Sequence, residues 1–254
     1  MIPPAAFVST ITRNLHRPWC APIAWACAGL ILVIQGGVAL VGGPHQQPAG
    51  SWFVTLGLSH EGIYAGKLWQ LFTYGLLHGG WLHAGMNAAF VILIGSRIEH
   101  VAGRPVLMKA IIFGIVGGGL CHLLLAPGRV GAGLLVGLSG GGTALLLLLT
   151  TLSPQSRMLP LPISARSLGL GVLAAELILA LIDPGLRIPG LSSLGRGLAE
   201  RGLGSWFQVG HACHFGGGIA GWMLGRWLLR QRITLKRLRR NRERREASGS
   251  GAIG

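Results

Sequence analysis

The chain alternates long uncharged apolar stretches with short connections that contain glycine, proline and arginine. A helix needs about 20 apolar residues to cross the hydrocarbon core of a bilayer. Six stretches approach that length: Trp19–Val41, Trp81–Ser96, Pro105–Ala126, Leu138–Leu152, Ser167–Ile182 and Trp206–Gly225. A semi-apolar segment, Leu68–Leu77, precedes the second. The pattern predicts an all-α membrane protein built as a bundle of six transmembrane helices.

The composition supports a membrane protein. Hydrophobic residues make up 50% of the 254 residues and charged residues only 11%, against about a quarter charged in soluble domains. This excludes a water-soluble globule, and the apolar content excludes a disordered chain. The four cysteines form no C-x-x-C pair, no nucleotide-binding glycine motif is present, and no metal-ligand set is complete. We therefore expect no cofactor and no bound metal.

The basic residues indicate the orientation of the chain. The net charge is +15, and ten of the 22 lysines and arginines lie between Arg226 and Arg245, directly after the last apolar stretch. Such a tail is typical of a cytoplasmic segment attracted to anionic lipid, so no nucleic-acid partner is expected. Six spans place both termini on this side. Basic residues are expected mainly on the cytoplasmic side. The last external loop is an exception, because it contains Arg187, Arg196 and Arg201.

These observations divide the chain into three parts: a cytoplasmic N-terminus (1–18), a six-helix membrane domain (19–231) and a basic cytoplasmic tail (232–254). The first apolar stretch follows Arg13 and Arg17, as the apolar part of a signal peptide would. The stretch is longer than the apolar region of a typical signal peptide and has no clear cleavage site. We therefore interpret it as a retained transmembrane span. High arginine and glycine with only three lysines favours a bacterial plasma (inner) membrane.

Polar residues within the apolar stretches are the candidates for function, because they are costly at membrane depth. They form three clusters: His78, His83 and Asn87; Gly137, Leu138, Ser139 and Gly140; and His211 with His214. Glycines follow at Gly217, Gly221 and Gly225, on one face of the sixth helix, and Gly140 and Ala144 offer a matching surface on the fourth. Small residues let two helix backbones approach closely. We expect this contact to bring Ser139 and His214 together.

Depth in the bilayer supports the same grouping. At about 1.5 Å per residue, counted from the cytoplasmic ends, Ser139 lies about 22 Å up, His214 about 18–24 Å and His83 about 21 Å. Three polar groups from three helices are thus expected at one level. Glu176, the acid within the fifth stretch, rises only about 15 Å, which places it below that layer.

A serine and a histidine at one level suit nucleophilic catalysis. The imidazole can take the proton of the hydroxyl, which is a weak nucleophile without a base. Because Glu176 is expected below the layer, we predict a Ser139–His214 dyad without an acid. His83, Asn87 and the backbone N–H of Ser139 can stabilise the oxyanion that forms. The predicted reaction is hydrolysis of a bond within the membrane.

These residues resemble the rhomboid family of intramembrane serine proteases. The matching stretches run in order from about residue 67 to 225: Trp69 to Tyr74, His78-x4-His83-x3-Asn87, Glu99 with Gly103, Gly137-Leu138-Ser139-Gly140, and His214-x2-Gly217-x3-Gly221. The resemblance implies a rhomboid-like six-helix core, a Ser139–His214 dyad and oxyanion contacts from His83, Asn87 and the Ser139 amide. It also implies single-pass membrane substrates that enter sideways past the fifth helix.

Three positions depart from the family pattern. Gln70 stands where the family often has arginine after Trp69, which suggests a weaker first-loop contact. Thr143 stands where the best-known bacterial members carry a tyrosine stacked on the catalytic histidine, so His214 must be held otherwise. Glu176 is unusual for a helix at the lateral gate. It is either protonated and packed against backbone or it lines a wet gate.

The remaining polar residues have structural interpretations. We expect His78 to hold the first external loop near the site, and Gly137, Gly140, Gly217 and Gly221 to support the site by close packing. His211, three residues before His214, suggests a metal pair, but without a third ligand nearby a structural role is favoured. Glu99 is expected to pair with a cytoplasmic-side base or with backbone amides.

Two other functions stay open. A rhomboid-like protein without catalysis could bind and escort membrane helices, although such relatives usually lack the serine or the histidine. A small transporter or channel could use the histidine and asparagine layer as a relay, although the chain shows no internal repeat. The sequence predicts no oligomeric state.

Overall fold

The computed structural model describes residues 21–125, 134–157 and 162–230. The predicted N-terminal segment (1–18) and basic tail (232–254) lie outside them. Within the described part no β-strand forms, and two isolated bridges are present. The α-helices are α1 (Pro22–Leu40), α2 (Ala49–Leu56), α3 (His60–Tyr64), α4 (Gln70–Thr73), α5 (Trp81–Ala102), α6 (Arg104–Leu125), α7 (Ser139–Leu152), α8 (Ala165–Leu181), α9 (Leu191–Leu198) and α10 (His211–Leu228). Shorter 3₁₀ and π turns cover Tyr74–Leu76, Pro184–Leu186, Ala199–Leu203 and Gly204–Gln208.

Each of the six apolar stretches contains one main helix: α1, α5, α6, α7, α8 and α10. Among the described residues, α1, α5 and α6 are long and apolar enough to cross a membrane, and α7 is a shorter apolar helix. Two predicted boundaries were wrong. Helix α5 passes through a π-helical stretch, Val91–Gly95, and ends only at Ala102, where Gly103 has a φ of +90°. Helix α10 begins at His211 rather than Trp206.

The centre of the molecule is the contact of α6, α7 and α10. Glycines bring these backbones together, as the small-residue stripe predicts. A Cβ atom on Gly217 would overlap the carbonyl group of Gly140, and one on Gly221 would overlap that of Ala144. Helix α6 also approaches α7 closely, because a Cβ on Gly114 would lie 2.7 Å from the Gly140 oxygen. The α7–α10 distance is therefore set by backbone contact.

Helix α1 packs against α5 and is anchored there by Glu99. The buried Glu99 carboxylate accepts hydrogen bonds from the backbone N–H groups of Ile23 (3.3 Å) and Ala24 (2.9 Å), in the first turn of α1. Helix N-termini carry unsatisfied N–H groups and favour a negative charge. The Arg104 Nε atom lies 3.3 Å from the same carboxylate. The structural role predicted for Glu99 is confirmed.

The segment between α2 and α5 is held by side chains that bind its backbone. Gln70 is fully buried; its Oε1 accepts from the Ser59 N–H (3.2 Å) and its Nε2 donates to the carbonyls of Val54 (3.2 Å) and Thr55 (3.3 Å). Trp69 Nε1 also donates to the Thr55 carbonyl (2.9 Å). The glutamine at position 70 thus keeps an extensive first-loop contact to backbone.

Candidate active site

The chain enters α7 along a fixed path. Leu135 exchanges two backbone hydrogen bonds with Leu58, each 3.0 Å. The Gly137 N–H then donates to the Tyr74 carbonyl (2.9 Å), and the Leu138 N–H donates to His78 Nε2 (3.3 Å). Ser139 follows as the first residue of α7. The first-loop segment therefore determines where the helix, and its first side chain, begins.

His78 lies between the short turn after α4 and the start of α5, and only 1% of it is exposed. Its Nε2 accepts a hydrogen bond from the Leu138 N–H, so the ring is neutral and carries its hydrogen on Nδ1. It connects the first loop to the residue just before Ser139.

Ser139 and His214 are in hydrogen-bonding contact. The Ser139 Oγ atom lies 2.8 Å from His214 Nε2. Ser139 begins α7, and His214 lies in the first turn of α10. Both residues are partly exposed, in contrast to the buried glycines beside them. The hydroxyl can donate to Nε2 when the imidazole carries its proton on Nδ1.

Glu176, on α8, lies on the other side of the same imidazole. Its Oε1 is 3.1 Å from His214 Nδ1, and its Oε2 is 2.7 Å from His211 Nδ1. The expectation that Glu176 lies below the polar layer was therefore wrong. The depth count assumed that all helices stand parallel and start from one level, whereas the contact requires α8 to sit higher against α10. Glu176 was expected either to pack against backbone or to line a wet gate. Its pairing with two histidines is neither of these.

His211 makes two polar contacts. Besides Glu176, its Nε2 lies 2.8 Å from the carbonyl oxygen of Trp206. The expectation that no third ligand lies near the two histidines was wrong, because ligand atoms of Glu176, His211 and His214 lie within 4.8 Å of one another. This donor set suits zinc in type, but the carboxylate is at hydrogen-bond distance from both rings. The geometry is that of a hydrogen-bonded cluster.

His83 and Asn87 lie one turn apart on α5, and His83 packs near Gly137, at the approach to Ser139. A Cβ on Gly137, whose φ is +117°, would lie 2.6 Å from His83 Cε1 and Nε2, so glycine makes room for this ring two residues before Ser139. His83 also meets His78 edge to face, with ring centroids 5.0 Å apart. Asn87 is buried, and its Nδ2 donates to the His83 carbonyl (2.9 Å). An amide group has two N–H donors, so one is left for another acceptor.

The hydrogen bonds of Thr143 go to backbone and not to the His214 ring. Its hydroxyl lies 3.0 Å from the carbonyl oxygens of both Gly140 and His214. The threonine therefore joins the backbones of α7 and α10 at the level of the site, whereas the His214 ring is hydrogen-bonded at Nδ1 by Glu176.

Helices of membrane-spanning length and a serine–histidine contact between two glycine-packed helices define an integral membrane protein with an enzyme-like polar site. The chain matches the family model of the Rhomboid domain over residues 65–231, about two thirds of its length. It belongs to the rhomboid family, whose members are generally intramembrane serine proteases and include non-catalytic proteins. No curated protein matches the chain.

Proposed function

We propose that this rhomboid-family chain is an intramembrane serine endopeptidase. The observation that carries the proposal is the 2.8 Å contact between Ser139 Oγ and His214 Nε2. That distance lies within the range in which a general base takes a proton from a nucleophile. An escort protein that only binds helices has no need of this contact.

The first half of the reaction acylates the enzyme. Ser139 Oγ attacks the carbonyl carbon of the scissile peptide bond, and its proton passes to His214 Nε2. As the tetrahedral intermediate collapses, the C–N bond breaks and the imidazolium gives that proton to the leaving amine. In the second half, His214 takes a proton from water, the hydroxide attacks the ester, and Ser139 regains its proton as the new carboxyl group leaves.

The oxyanion of each tetrahedral intermediate needs hydrogen-bond donors. Ser139 supplies its backbone N–H, which lies at a helix N-terminus and has no partner within the helix. We assign His83 and the second N–H of the Asn87 amide as further donors. Support comes from the His83 ring against Gly137 and from the Asn87 bond to the His83 carbonyl, which leaves one amide hydrogen available. Donors of this kind act most strongly where water is excluded.

The substrates that suit this site are single-pass membrane proteins whose helices enter sideways past α8. We further propose that the helices of all six apolar stretches cross the bilayer of a bacterial inner membrane and that both termini are cytoplasmic. The asymmetry of basic residues along the sequence supports this orientation.

The experiment uses the full chain, reconstituted in liposomes with a reporter protein that contains one transmembrane helix. We expect cleavage by the wild type and no measurable cleavage by Ser139→Ala or His214→Ala. A fluorophosphonate probe should label the wild type and should not label Ser139→Ala. The matched control is Ser193→Ala, which removes an exposed serine in α9.

Folding of each variant is checked by its melting temperature. A folded Ser139→Ala variant that still cleaves the reporter would overturn the assignment of the nucleophile. A folded wild type that neither cleaves reporters nor reacts with the probe would favour the escort function.

A further inference from the structure

We propose that Glu176 is a positioning residue for His214, so that the protein works with a Ser139–His214–Glu176 triad in which His211 holds the carboxylate. This inference rests on the proposed protease function. It adds a third functional group to the serine and histidine, on a different helix from either.

His214 is held on both ring nitrogens: Nε2 faces Ser139 Oγ at 2.8 Å and Nδ1 faces Glu176 Oε1 at 3.1 Å. An acceptor at Nδ1 keeps the proton there and leaves the Nε2 lone pair free for the serine hydroxyl. This is the role of the carboxylate in a serine–histidine–acid triad.

The protons around His211 also keep Glu176 an acceptor for His214. The Trp206 carbonyl can only accept, so His211 Nε2 must carry a hydrogen. His211 Nδ1 and Glu176 Oε2, 2.7 Å apart, then share one further proton. Whichever atom carries it, Glu176 Oε1 stays an acceptor for His214. His211 therefore fixes both the orientation of the carboxylate and its role as acceptor.

Other groups beside His214 do not take this role. The Thr143 hydroxyl donates to the backbone carbonyl of His214 and not to its imidazole. The T-shaped contact with His211, with centroids 6.2 Å apart, joins two members of the same cluster. Of the described residues other than Ser139, Glu176 is the one with a hydrogen bond to the His214 side chain.

Helix α8 packs closely against both helices of the site. A Cβ on Gly169 would lie 2.6 Å from Thr150 Oγ1 of α7, and a Cβ on Gly218 of α10 would lie 2.7 Å from Leu173 Cδ2 of α8. Close contacts therefore join α8 to both helices of the site. If a substrate enters past α8, as proposed above, displacement of this helix would also change the Glu176–His214 contact.

The test compares Glu176→Leu and Glu176→Gln with the wild type and with Glu200→Gln, which removes an exposed acid before α10. For each folded protein we measure kcat and KM for reporter cleavage and the rate of fluorophosphonate labelling of Ser139. We expect Glu176→Leu to lower kcat and the labelling rate by about 100-fold with KM unchanged. This is a smaller loss than the roughly 10⁴-fold effect of changing a triad aspartate to asparagine.

Glu176→Gln keeps an oxygen for His214 and an N–H for His211 but has no charge. We expect a smaller loss, about tenfold, because a neutral amide stabilises the imidazolium less. If Glu176→Leu does not fold, the comparison of Glu176→Gln with the wild type still tests the proposal. We expect Glu200→Gln to match the wild type.

The outcomes separate the two proposals. If either folded Glu176 variant stays within twofold of the wild-type kcat and labelling rate, the triad is wrong while the protease function stands. A lower melting temperature alone, with the labelling rate per folded molecule unchanged, likewise overturns the positioning role. Cleavage retained by Ser139→Ala would instead overturn the protease function.

Discussion

The backbone of Gly221 lies directly against the backbone of Ala144, so closely that a Cβ on the glycine would overlap the Ala144 carbonyl group. Gly221 lies seven residues after His214 on α10, and Ala144 lies five residues after Ser139 on α7. The contact thus fixes the separation of the two helices that carry the serine and the histidine.

Gly221→Ala is therefore expected to separate α7 from α10. Overpacking typically costs about 1–3 kcal/mol, and the obstacle here is backbone, so we expect the upper end of that range and at least a tenfold loss of activity per folded molecule. Melting temperature and probe labelling measure the two effects. Gly171→Ala in α8 is the matched control, because its Cβ would meet nothing within 4 Å. Equal behaviour of the two variants would contradict the prediction.

Thr143→Val removes a hydroxyl while keeping the shape of the side chain. The hydroxyl lies 3.0 Å from the His214 carbonyl, so its loss deletes one bond between α7 and α10. We expect a destabilisation of about 1 kcal/mol and a change in kcat of less than about threefold, because Glu176 rather than Thr143 is hydrogen-bonded to the His214 ring.

Thr143→Ser, which keeps the hydroxyl, is the control for the valine variant and is expected to stay near the wild type in both measurements. A loss of kcat in Thr143→Val as large as that in His214→Ala would mean that the threonine positions the imidazole itself.

Glu99→Leu tests the anchoring of α1. The substitution leaves the N–H groups of Ile23 and Ala24 without their acceptor and removes the partner of Arg104. We expect a loss of about 2–3 kcal/mol of stability, because buried donors without partners are costly. Probe labelling per folded molecule should not change. Glu61→Gln, at an exposed acid, should leave the melting temperature unaffected.

The sequence predicts well those contacts that depend on spacing along one helix. The glycine stripe from Gly217 to Gly225 is local, and it correctly predicts that α10 packs against α7 at Gly140 and Ala144. Glu99 could likewise be interpreted from its position beside the basic Arg97 and Arg104. For the glycines a fixed periodicity places the contact. For Glu99 the nearby Arg104 supplies one partner, whereas its hydrogen bonds to the N–H groups of Ile23 and Ala24 are long-range and are not contained in local spacing.

The partner of His214 could not be predicted in this way. Whether Glu176 reaches the imidazole depends on the relative height and tilt of α8 and α10, which residue counts from the cytoplasmic side do not contain. A signal was nevertheless present. A carboxylate within an apolar helix is costly unless it is paired, and the pair of His211 and His214 offered two partners of the right chemistry.

His83→Ala and Asn87→Ala test the oxyanion assignment. Loss of one oxyanion donor typically lowers kcat by about 10²–10³-fold with little effect on ground-state binding. We expect each variant to lower kcat by about that factor with KM unchanged. The double variant should fall by less than the product of the two, because both side chains are assigned as donors to the same oxyanion and groups that act together are not additive. His45→Ala, at an exposed histidine, is the control. If both single variants raise KM and leave kcat at the wild-type value, the two side chains bind substrate in its ground state and the oxyanion depends on the Ser139 amide alone.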